Sequence, residues 1–240
     1  MFDSLNLKSV NKSYGAKQVL KNINLNIESG KIVGLLGPNG SGKTTMIKLI
    51  VGLIKPSSGI VTIDGQEPGK VTKSYVSYLP DKDFLDINMS IEDTIRMFAG
   101  FYADFDIGIA YKLLEDLQVP YKFKIKALSK GNREKLMLIL VMSRRAKLYV
   151  LDEPIAGVDP VARDYILNTI VGNYNKTATV IISTHLIADV EKILDDVIFI
   201  KDGEIILHET SAAIRSGKGC SVDEYFREVY DDGQNDKVRI

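Results

Sequence analysis

The sequence predicts an α/β fold around a mainly parallel β-sheet. Several short apolar runs are each long enough for one buried strand and are separated by segments of helical periodicity, a pattern typical of sheets covered by helices. These runs occupy residues 32–36, 75–79, 148–151, 179–183 and 197–200. A chain of 240 residues that is 45% hydrophobic can bury a full core, so we expect one large domain, residues 1–240.

The first 30 residues have a different pattern. Ile23, Leu25 and Ile27 alternate with asparagines, as expected for a strand with one buried and one solvated face. Together with the apolar residues 60–63, this alternation predicts an antiparallel side sheet.

Helices are predicted from periodicity and from capping residues. A helix over residues 43–53 would have Met46, Ile47, Ile50 and Leu53 on one face. Ser90, followed three residues later by Asp93, is typical of a helix N-terminus, ahead of a face with Ile91, Ile95 and Phe98. Another helix, over residues 107–117, would have Ala110, Tyr111, Leu114 and Leu117 on one side.

The distribution of these elements predicts the organisation of the domain. Residues 81–146 contain no convincing strand, so we expect a helical subdomain inserted into a core formed by residues 1–80 and 147–210. Residues 211–240 would form a C-terminal helix and tail, since Val222, Tyr225, Phe226 and Val229 have helical spacing.

Composition excludes several classes of protein. The 31 basic and 31 acidic residues cancel, unlike the electrostatic footprint of a nucleic-acid-binding protein, so no nucleic-acid partner is expected. The single cysteine, Cys220, fits a reducing compartment. We see no signal peptide and no apolar run near the roughly 20 residues that a membrane helix needs. A cytoplasmic protein is expected, with any membrane role exerted through a partner.

The segment 37–44 fits the phosphate-binding pattern Gly-x-x-x-x-Gly-Lys-Thr after a buried strand. Glycines let backbone amides point inward at a triphosphate, and the following helix adds its N-terminal partial positive charge. Lys43 is expected to reach the β- and γ-phosphates of ATP, and the Thr44 hydroxyl to bind Mg²⁺. The predicted nucleotide-binding residues here are Gly37, Pro38, Asn39, Gly40, Ser41, Gly42, Lys43, Thr44 and Thr45.

Together with four later segments, this loop resembles the nucleotide-binding subunit of ATP-binding cassette (ABC) transporters, over about residues 7–206. Leu128-Ser129-Lys130-Gly131-Asn132 resembles the family signature Leu-Ser-Gly-Gly-Gln. The resemblance implies a P-loop NTPase fold of the ABC type, and it implies that Ser129 and Gly131 bind the γ-phosphate held by a second protomer. Ser129 can also cap the helix that follows. The pattern Leu-Ser-x-Gly alone would equally suit an ordinary helix N-terminus.

Residues Leu148 to Glu153 resemble the family's Walker B strand. The resemblance implies that Asp152 holds Mg²⁺ through water and that Glu153 polarises the attacking water as general base. An acidic turn after a strand is common in α/β proteins, but here it accompanies a complete phosphate loop.

Three further residues are assigned by resemblance. Asp159, in Ala156-Gly157-Val158-Asp159, matches the family's D-loop at the dimer interface, and His185, after Ser183 and Thr184, matches the switch histidine that contacts the γ-phosphate. Tyr14 matches the aromatic residue that stacks on adenine, a contact worth about 1–3 kcal/mol. A lone histidine or tyrosine is otherwise more often structural or exposed, and His208 is given no role.

The chain departs from the family pattern at one metal-binding position. Asp81 follows the strand 75–79 where the family usually has glutamine. At about 6 Å and an effective dielectric constant near 20, its charge would be repelled by a phosphate charge by roughly 3 kcal/mol. We therefore expect either that Asp81 binds Mg²⁺ or that it stays away from the phosphates, and we prefer the first. The signature also has Lys130 and Asn132 in place of glycine and glutamine.

The sequence thus predicts an ATP-binding and ATP-hydrolysing subunit that dimerises around two MgATP, with an identical or a different cassette. The resemblance implies that it powers a separate integral membrane permease at the cytoplasmic face of the membrane, and the analogy with bacterial export cassettes favours an exporter over an importer. In the family, the region after Asp81 forms a groove for a short helix of the membrane subunit. The candidate apolar contacts of this groove are Phe84, Leu85, Ile87, Phe101 and Tyr102, and for each of them packing within the subdomain is an equal alternative.

The alternative function is a soluble cassette ATPase that serves an assembly process such as iron–sulphur cluster biogenesis.

Overall fold

Two β-sheets form the framework of the protein in the computed structural model, which describes residues 3–156, 158, 160–174 and 177–235. The larger sheet has six strands in the order β5-β6-β7-β3-β8-β9, all parallel to their neighbours except β9. Its strands are β3 (Ile32–Leu36), β5 (Val76–Leu79), β6 (Leu148–Asp152), β7 (Thr179–Thr184), β8 (Asp196–Lys201) and β9 (Glu204–Thr210). The predicted α/β fold with a mainly parallel sheet is confirmed, and each predicted apolar run coincides with one of its strands, except that Tyr75 precedes β5.

The smaller sheet is antiparallel, as predicted, and has the order β2-β1-β4. Its strands are β1 (Asp3–Tyr14), β2 (Lys17–Glu28) and β4 (Ser58–Ile63). The central strand β1 was not evident from the alternation pattern, because its buried residues Leu5, Leu7 and Val10 change spacing at an irregularity between Leu7 and Val10. Ser9 there has a φ of 49°, a left-handed conformation that shifts the following side chain by one position.

The helices are α1 (Lys43–Ile50), α2 (Lys70–Lys73), α3 (Ile91–Phe101), α4 (Ile107–Asp116), α5 (Lys130–Met142), α6 (Pro160–Asn173), α7 (Ile187–Val190), α8 (Ser211–Lys218) and α9 (Val222–Asn235). The prediction that α1 continues to residue 53 is wrong. Gly52 adopts a φ of +69° just beyond the helix, a conformation that ends helices. Leu53, expected on the core face, is consequently 55% exposed.

The segment between β5 and β6 consists of helices α3, α4 and α5 and has no strand longer than an isolated bridge. Ser90, Asp106 and Ser129 cap these helices by accepting hydrogen bonds from backbone amides of the first turn. The predicted faces of α3 and α4 are buried except at Phe98 and Tyr111, which are half-buried. In α4, Leu113 is buried as well.

Arg144 connects this helical segment to the central sheet. Its buried guanidinium makes two hydrogen bonds with Asp104, at 2.9 and 3.0 Å, and donates to the backbone carbonyls of Val76 and Ser74. It also lies 3.9 Å from the centre of the Tyr102 ring. A buried charge is tolerated only with this degree of pairing, so Arg144 fixes the end of α5 against β5.

The central sheet places the ends of β3, β6 and β7 side by side. Leu36 of β3 pairs with Thr184 of β7, and Asp152 of β6 pairs with Ser183 of β7. Because the carboxyl ends of parallel strands meet at one edge, the residues that follow these strands share one crevice. This register brings together the loop 37–44, the acidic pair Asp152 and Glu153, and His185.

Candidate nucleotide site

The phosphate loop links β3 to α1 and depends on glycine at three positions. Gly40 and Gly42 adopt φ values of +82° and +112°, in a region that favours residues without a β-carbon. A β-carbon on Gly37 would lie 2.5 Å from the carbonyl oxygen of Ile200. Gly42 occupies the N-cap position of α1 and has no side chain to bond the first amides of the helix. These amides are therefore available to an anion.

Lys43 is buried against this loop. Its ammonium group donates to the carbonyl oxygens of Gly37, at 2.6 Å, and Pro38, at 3.1 Å. Burial lowers the pKa of Lys43, and the negative charges of Glu153 and Asp152 oppose that shift. The ammonium group is thus close to both carboxylates and is held over the loop, ready to exchange carbonyl partners for phosphate oxygens.

Asp152 ends β6 as a buried carboxylate with one free oxygen. The Ser183 hydroxyl donates to its Oδ1 atom, whereas Oδ2 has no hydrogen-bond partner among the described residues. Burial raises the pKa of Asp152; the hydroxyl groups of Ser183 and the nearby Thr44 oppose this shift, and the charges of Asp81 and Glu153 add to it. Sequence reasoning gave Ser183 no role of its own, although its position at the end of a buried strand could have suggested one.

Glu153 and His185 form the polar end of the crevice. The Nδ1 atom of His185 lies 3.1 Å from each carboxylate oxygen of Glu153. Glu153 has a φ of +53°, which is uncommon for a residue with a side chain, and its backbone amide donates to the Ser183 carbonyl at 3.0 Å. This amide contact ties the turn after β6 to β7 and aims the carboxylate at the histidine.

The residues present fit Mg²⁺ bound together with a nucleotide. The unpartnered Oδ2 atom of Asp152 and the nearby Thr44 hydroxyl are hard oxygen donors, which Mg²⁺ prefers. Among the described residues no group of three or more His, Cys, Asp or Glu side chains could hold a metal alone. In the usual magnesium site of nucleotide enzymes, one or two carboxylates act with substrate phosphates and water.

Asp81 and Glu134 lie beside this centre. They line a cavity of about 280 Å³ together with Asp152 and Glu153. The Oε2 atom of Glu134 is buried without a partner among the described residues, and burial raises the pKa of this side chain. Sequence reasoning missed Glu134, which lies on α5 and reaches the site only through the packing of that helix.

The signature residues lie on the surface of this chain. Ser129, Lys130 and Gly131 are exposed, and a β-carbon on Gly131 would meet no atom within 4 Å. The Ser129 hydroxyl accepts the Asn132 amide at 3.3 Å, so the predicted capping of α5 is confirmed. The first turn of α5 is open to a ligand from outside the protomer.

The remaining predicted residues are placed as follows. Thr44 and Thr45 lie half-buried in the first turn of α1. Tyr14 ends β1 and is half-exposed, with the Lys12 ammonium 5.2 Å from its ring centre, and its stacking on adenine stays a prediction. Asp159 lies outside the described residues.

A phosphate loop between a parallel strand and a helix, with acidic and histidine residues on adjacent strand ends, defines a P-loop nucleotide-binding protein. A family model described as ABC transporter matches residues 20–156. The ABC transporter ATP-binding protein YtrB of Bacillus subtilis is 32% identical, over 84% of this chain and 70% of that protein. The Nod factor export ATP-binding protein I of Rhizobium johnstonii is 30% identical, over 93% of this chain and 75% of that protein.

A solved structure of an ABC transporter ATP-binding subunit has the same fold, with a TM-score of 0.83 and 27% identity over 94% of this chain and 99% of that one. The chain therefore belongs to the ABC transporter family, as one of its ATP-binding proteins and an ATPase by class. Its longest described helices have 14 residues, and no described helix combines the length and hydropathy needed to cross a bilayer.

Proposed function

We propose that this chain hydrolyses MgATP in a dimer of cassettes and thereby drives a separate membrane subunit that exports its cargo. The observation that carries the proposal is the contact between Glu153 and His185, on the same sheet edge as the phosphate loop. A carboxylate positioned by a neighbouring group next to a phosphate site is the arrangement expected of a general base.

In the proposed reaction, the amides of the phosphate loop and Lys43 bind the β- and γ-phosphates of ATP. Glu153 accepts a proton from the attacking water as the new bond from its oxygen to the γ-phosphorus forms. The bond from the γ-phosphorus to the bridging oxygen breaks, and ADP leaves with that electron pair. His185 holds the Glu153 carboxylate and contacts the γ-phosphate.

Thr44, Asp152 through water, and Asp81 are the proposed magnesium ligands. When bound, the ion neutralises charge on the phosphate oxygens. The free Oδ2 atom of Asp152 is the strongest support for this assignment, since an ionised, buried oxygen is costly unless it is paired.

The exposed N-terminus of α5 supports the dimer. Ser129 and Gly131 present backbone amides and a hydroxyl to the outside of the protomer, and such a terminus attracts anions. In the proposed dimer, these groups complete the γ-phosphate site of the partner cassette, with Asp159 and Tyr14 in the interface and adenine roles that the resemblance implies.

A groove between α3 and the edge of the central sheet is the proposed contact with the membrane subunit. This cavity of about 720 Å³ is lined by the aromatic residues Phe84, Phe98 and Tyr102 together with Lys48, Lys73, Lys82 and Arg144. Phe84, which lines the groove, is 39% exposed, and Ile87 and Phe101 of the same region are 47% and 76% exposed; exposed apolar side chains of this kind favour a protein partner. The name of the Nod factor relative includes export, which supports this direction of transport.

The solution mass of the Glu153→Gln variant tests the proposal. Light scattering with MgATP is expected to give a dimer, and without nucleotide a monomer, because Gln keeps the binding site but cannot accept the proton. The control is Glu153→Gln with Lys43→Ala, which should stay monomeric because it lacks the phosphate ligand. A Glu153→Gln variant that binds MgATP but never dimerises would contradict a dimer of two identical chains.

A further inference from the structure

The phosphate loop rests on the end of β8 and the turn that follows it. A β-carbon on Gly37 would lie only 2.5 Å from the Ile200 carbonyl oxygen, so this oxygen is close to the backbone of Gly37. The Gly203 amide donates to the Ser41 carbonyl at 3.0 Å. Gly37 also supplies the carbonyl that holds the Lys43 ammonium at 2.6 Å. A displacement of Ile200 would therefore reach the catalytic lysine through a single loop residue.

The C-terminal helix α9 contacts this same oxygen. The Tyr230 hydroxyl donates to the Ile200 carbonyl at 2.8 Å. The Tyr230 ring packs 4.1 Å from that of Phe226, and both rings lie near Phe199 of β8. Burial raises the pKa of Tyr230, so the hydroxyl stays protonated and remains a donor throughout the neutral range.

The other end of α9 is fixed near the switch histidine. The Asp223 amide, in the first turn of α9, donates to the Glu191 side chain at 3.0 Å. Glu191 is the C-cap of α7, the short helix that begins two residues after His185. The helix α9 thus connects Glu191, at the end of α7, to Ile200, against which the phosphate loop packs. Residues 223 and 230 are about 10 Å apart along the helix axis.

We infer that Tyr230 is a positioning residue for the nucleotide site: its hydroxyl fixes the Ile200 carbonyl, and through it the phosphate loop at Gly37. The inference rests on the proposed function for its effect on ATP and adds a role for the C-terminal helix. The contact is a preorganising one, because it sets the loop geometry before the nucleotide binds. Its loss should weaken binding of MgATP more than it slows the chemical step.

The test compares Tyr230→Phe with Tyr225→Phe by calorimetric titration with MgATP. Tyr225 is on the same helix and also packs near Phe199, but its hydroxyl has no hydrogen bond among the described residues. Loss of one hydrogen bond of ordinary strength predicts a dissociation constant about three- to tenfold higher for Tyr230→Phe. The turnover number at saturating MgATP should stay within about twofold of the parent, and Tyr225→Phe should match the parent in both measurements.

A second readout needs no nucleotide. Hydrogen exchange of a peptide that includes Gly37 to Lys43 should be faster in Tyr230→Phe than in the parent and in Tyr225→Phe. Equal affinity and equal exchange in all three proteins would overturn the inference, as would equal losses in both variants, which would indicate general packing. If the parent protein does not bind MgATP, the proposed function fails, and the exchange measurement alone still decides the role of Tyr230.

Discussion

The Nδ1 atom of His185 lies 3.1 Å from both carboxylate oxygens of Glu153. The two residues follow adjacent strands, β6 and β7, and the Glu153 amide is bonded to the Ser183 carbonyl. The contact therefore depends on the register of the sheet and is a fixed part of the site. It makes the orientation of Glu153, the proposed general base, dependent on a residue that follows the neighbouring strand.

Replacement of His185 by alanine should lower the rate of ATP hydrolysis by about 10²- to 10³-fold, because an unpositioned base loses much of its effect. The affinity for MgATP should change less. Steady-state ATPase kinetics would measure both. The control is His208→Ala, which removes the only other histidine, near Asp196 on the far part of the sheet. A rate for His185→Ala within threefold of the parent would show that Glu153 needs no such partner.

The Asp152 carboxylate is expected to reduce the stability of the folded protein in the absence of nucleotide. Its buried Oδ2 atom has no hydrogen-bond partner among the described residues, and burial raises the pKa of the side chain. The neutral Asp152→Asn should therefore unfold at a higher temperature near neutral pH, by about 2–4 °C for each kcal/mol gained in the free energy of unfolding. The same variant should lose ATPase activity. Functional sites commonly reduce stability in this way.

A matched variant tests this explanation. Asp196 is also buried, but its carboxylate is paired with the Lys31 ammonium at 2.8 Å. Asp196→Asn should lower the unfolding temperature, since it breaks the shorter of the two ion pairs of Lys31 and leaves only the pair with Glu28, at 3.5 Å. Calorimetry of the two variants should thus give shifts of opposite sign. A lower unfolding temperature for both would mean that the unpartnered Asp152 oxygen carries no penalty.

Glu134 should make stability depend on pH. Burial raises its pKa above the unfolded value, so the folded protein prefers the protonated form. The loss of stability caused by ionising Glu134 in the folded protein is absent when the pH is below the pKa of this residue in the unfolded chain. It is complete once the pH exceeds the raised pKa in the folded protein. Glu134→Gln should therefore be more stable than the parent at pH 7.5, and the difference should shrink as the pH falls toward 4.5.

Denaturant unfolding at several pH values would measure this difference. The exposed Glu115→Gln on α4 serves as control and should track the parent at every pH. A constant difference between Glu134→Gln and the parent across the range would contradict an ionised, buried Glu134 and would point to packing instead.

The sequence predicted those parts of the molecule that local pattern determines. The strands of the central sheet are short, continuous apolar runs, and the phosphate loop depends on glycines within eight residues. Those signals need no knowledge of packing. The central strand β1 is not evident in the sequence because the left-handed Ser9 breaks its alternation. The helix α1 ends earlier than predicted because Gly52, just beyond it, adopts a left-handed conformation that stops the helix.

Contacts between distant residues could not be predicted in the same way. Glu134 reaches the acidic cavity only because α5 packs against the sheet, and the contact between Tyr230 and Ile200 joins a helix to a strand 30 residues earlier. Neither the position of Glu134 nor the contact of Tyr230 corresponds to a sequence motif that would predict it. The roles assigned by resemblance to Ser129, Asp159 and Tyr14 need a second protomer or a nucleotide, and they stay predictions.

Asp81 gives the last prediction, because it occupies the family's glutamine position next to Asp152. Its charge adds to the raised pKa of Asp152, so the two carboxylates are close enough to interact. If Asp81 supplies a magnesium oxygen, Asp81→Gln should raise the Mg²⁺ concentration needed for half-maximal ATPase activity about three- to tenfold, since an amide oxygen is a weaker ligand than a carboxylate. Activity at saturating Mg²⁺ should remain close to that of the parent.

The control is Asp83→Asn, which alters a charge two residues away that is paired with Arg133. This variant should leave the magnesium requirement unchanged. Identical magnesium curves for Asp81→Gln and the parent would exclude a role for Asp81 in metal binding and leave Thr44 and Asp152 as the protein ligands.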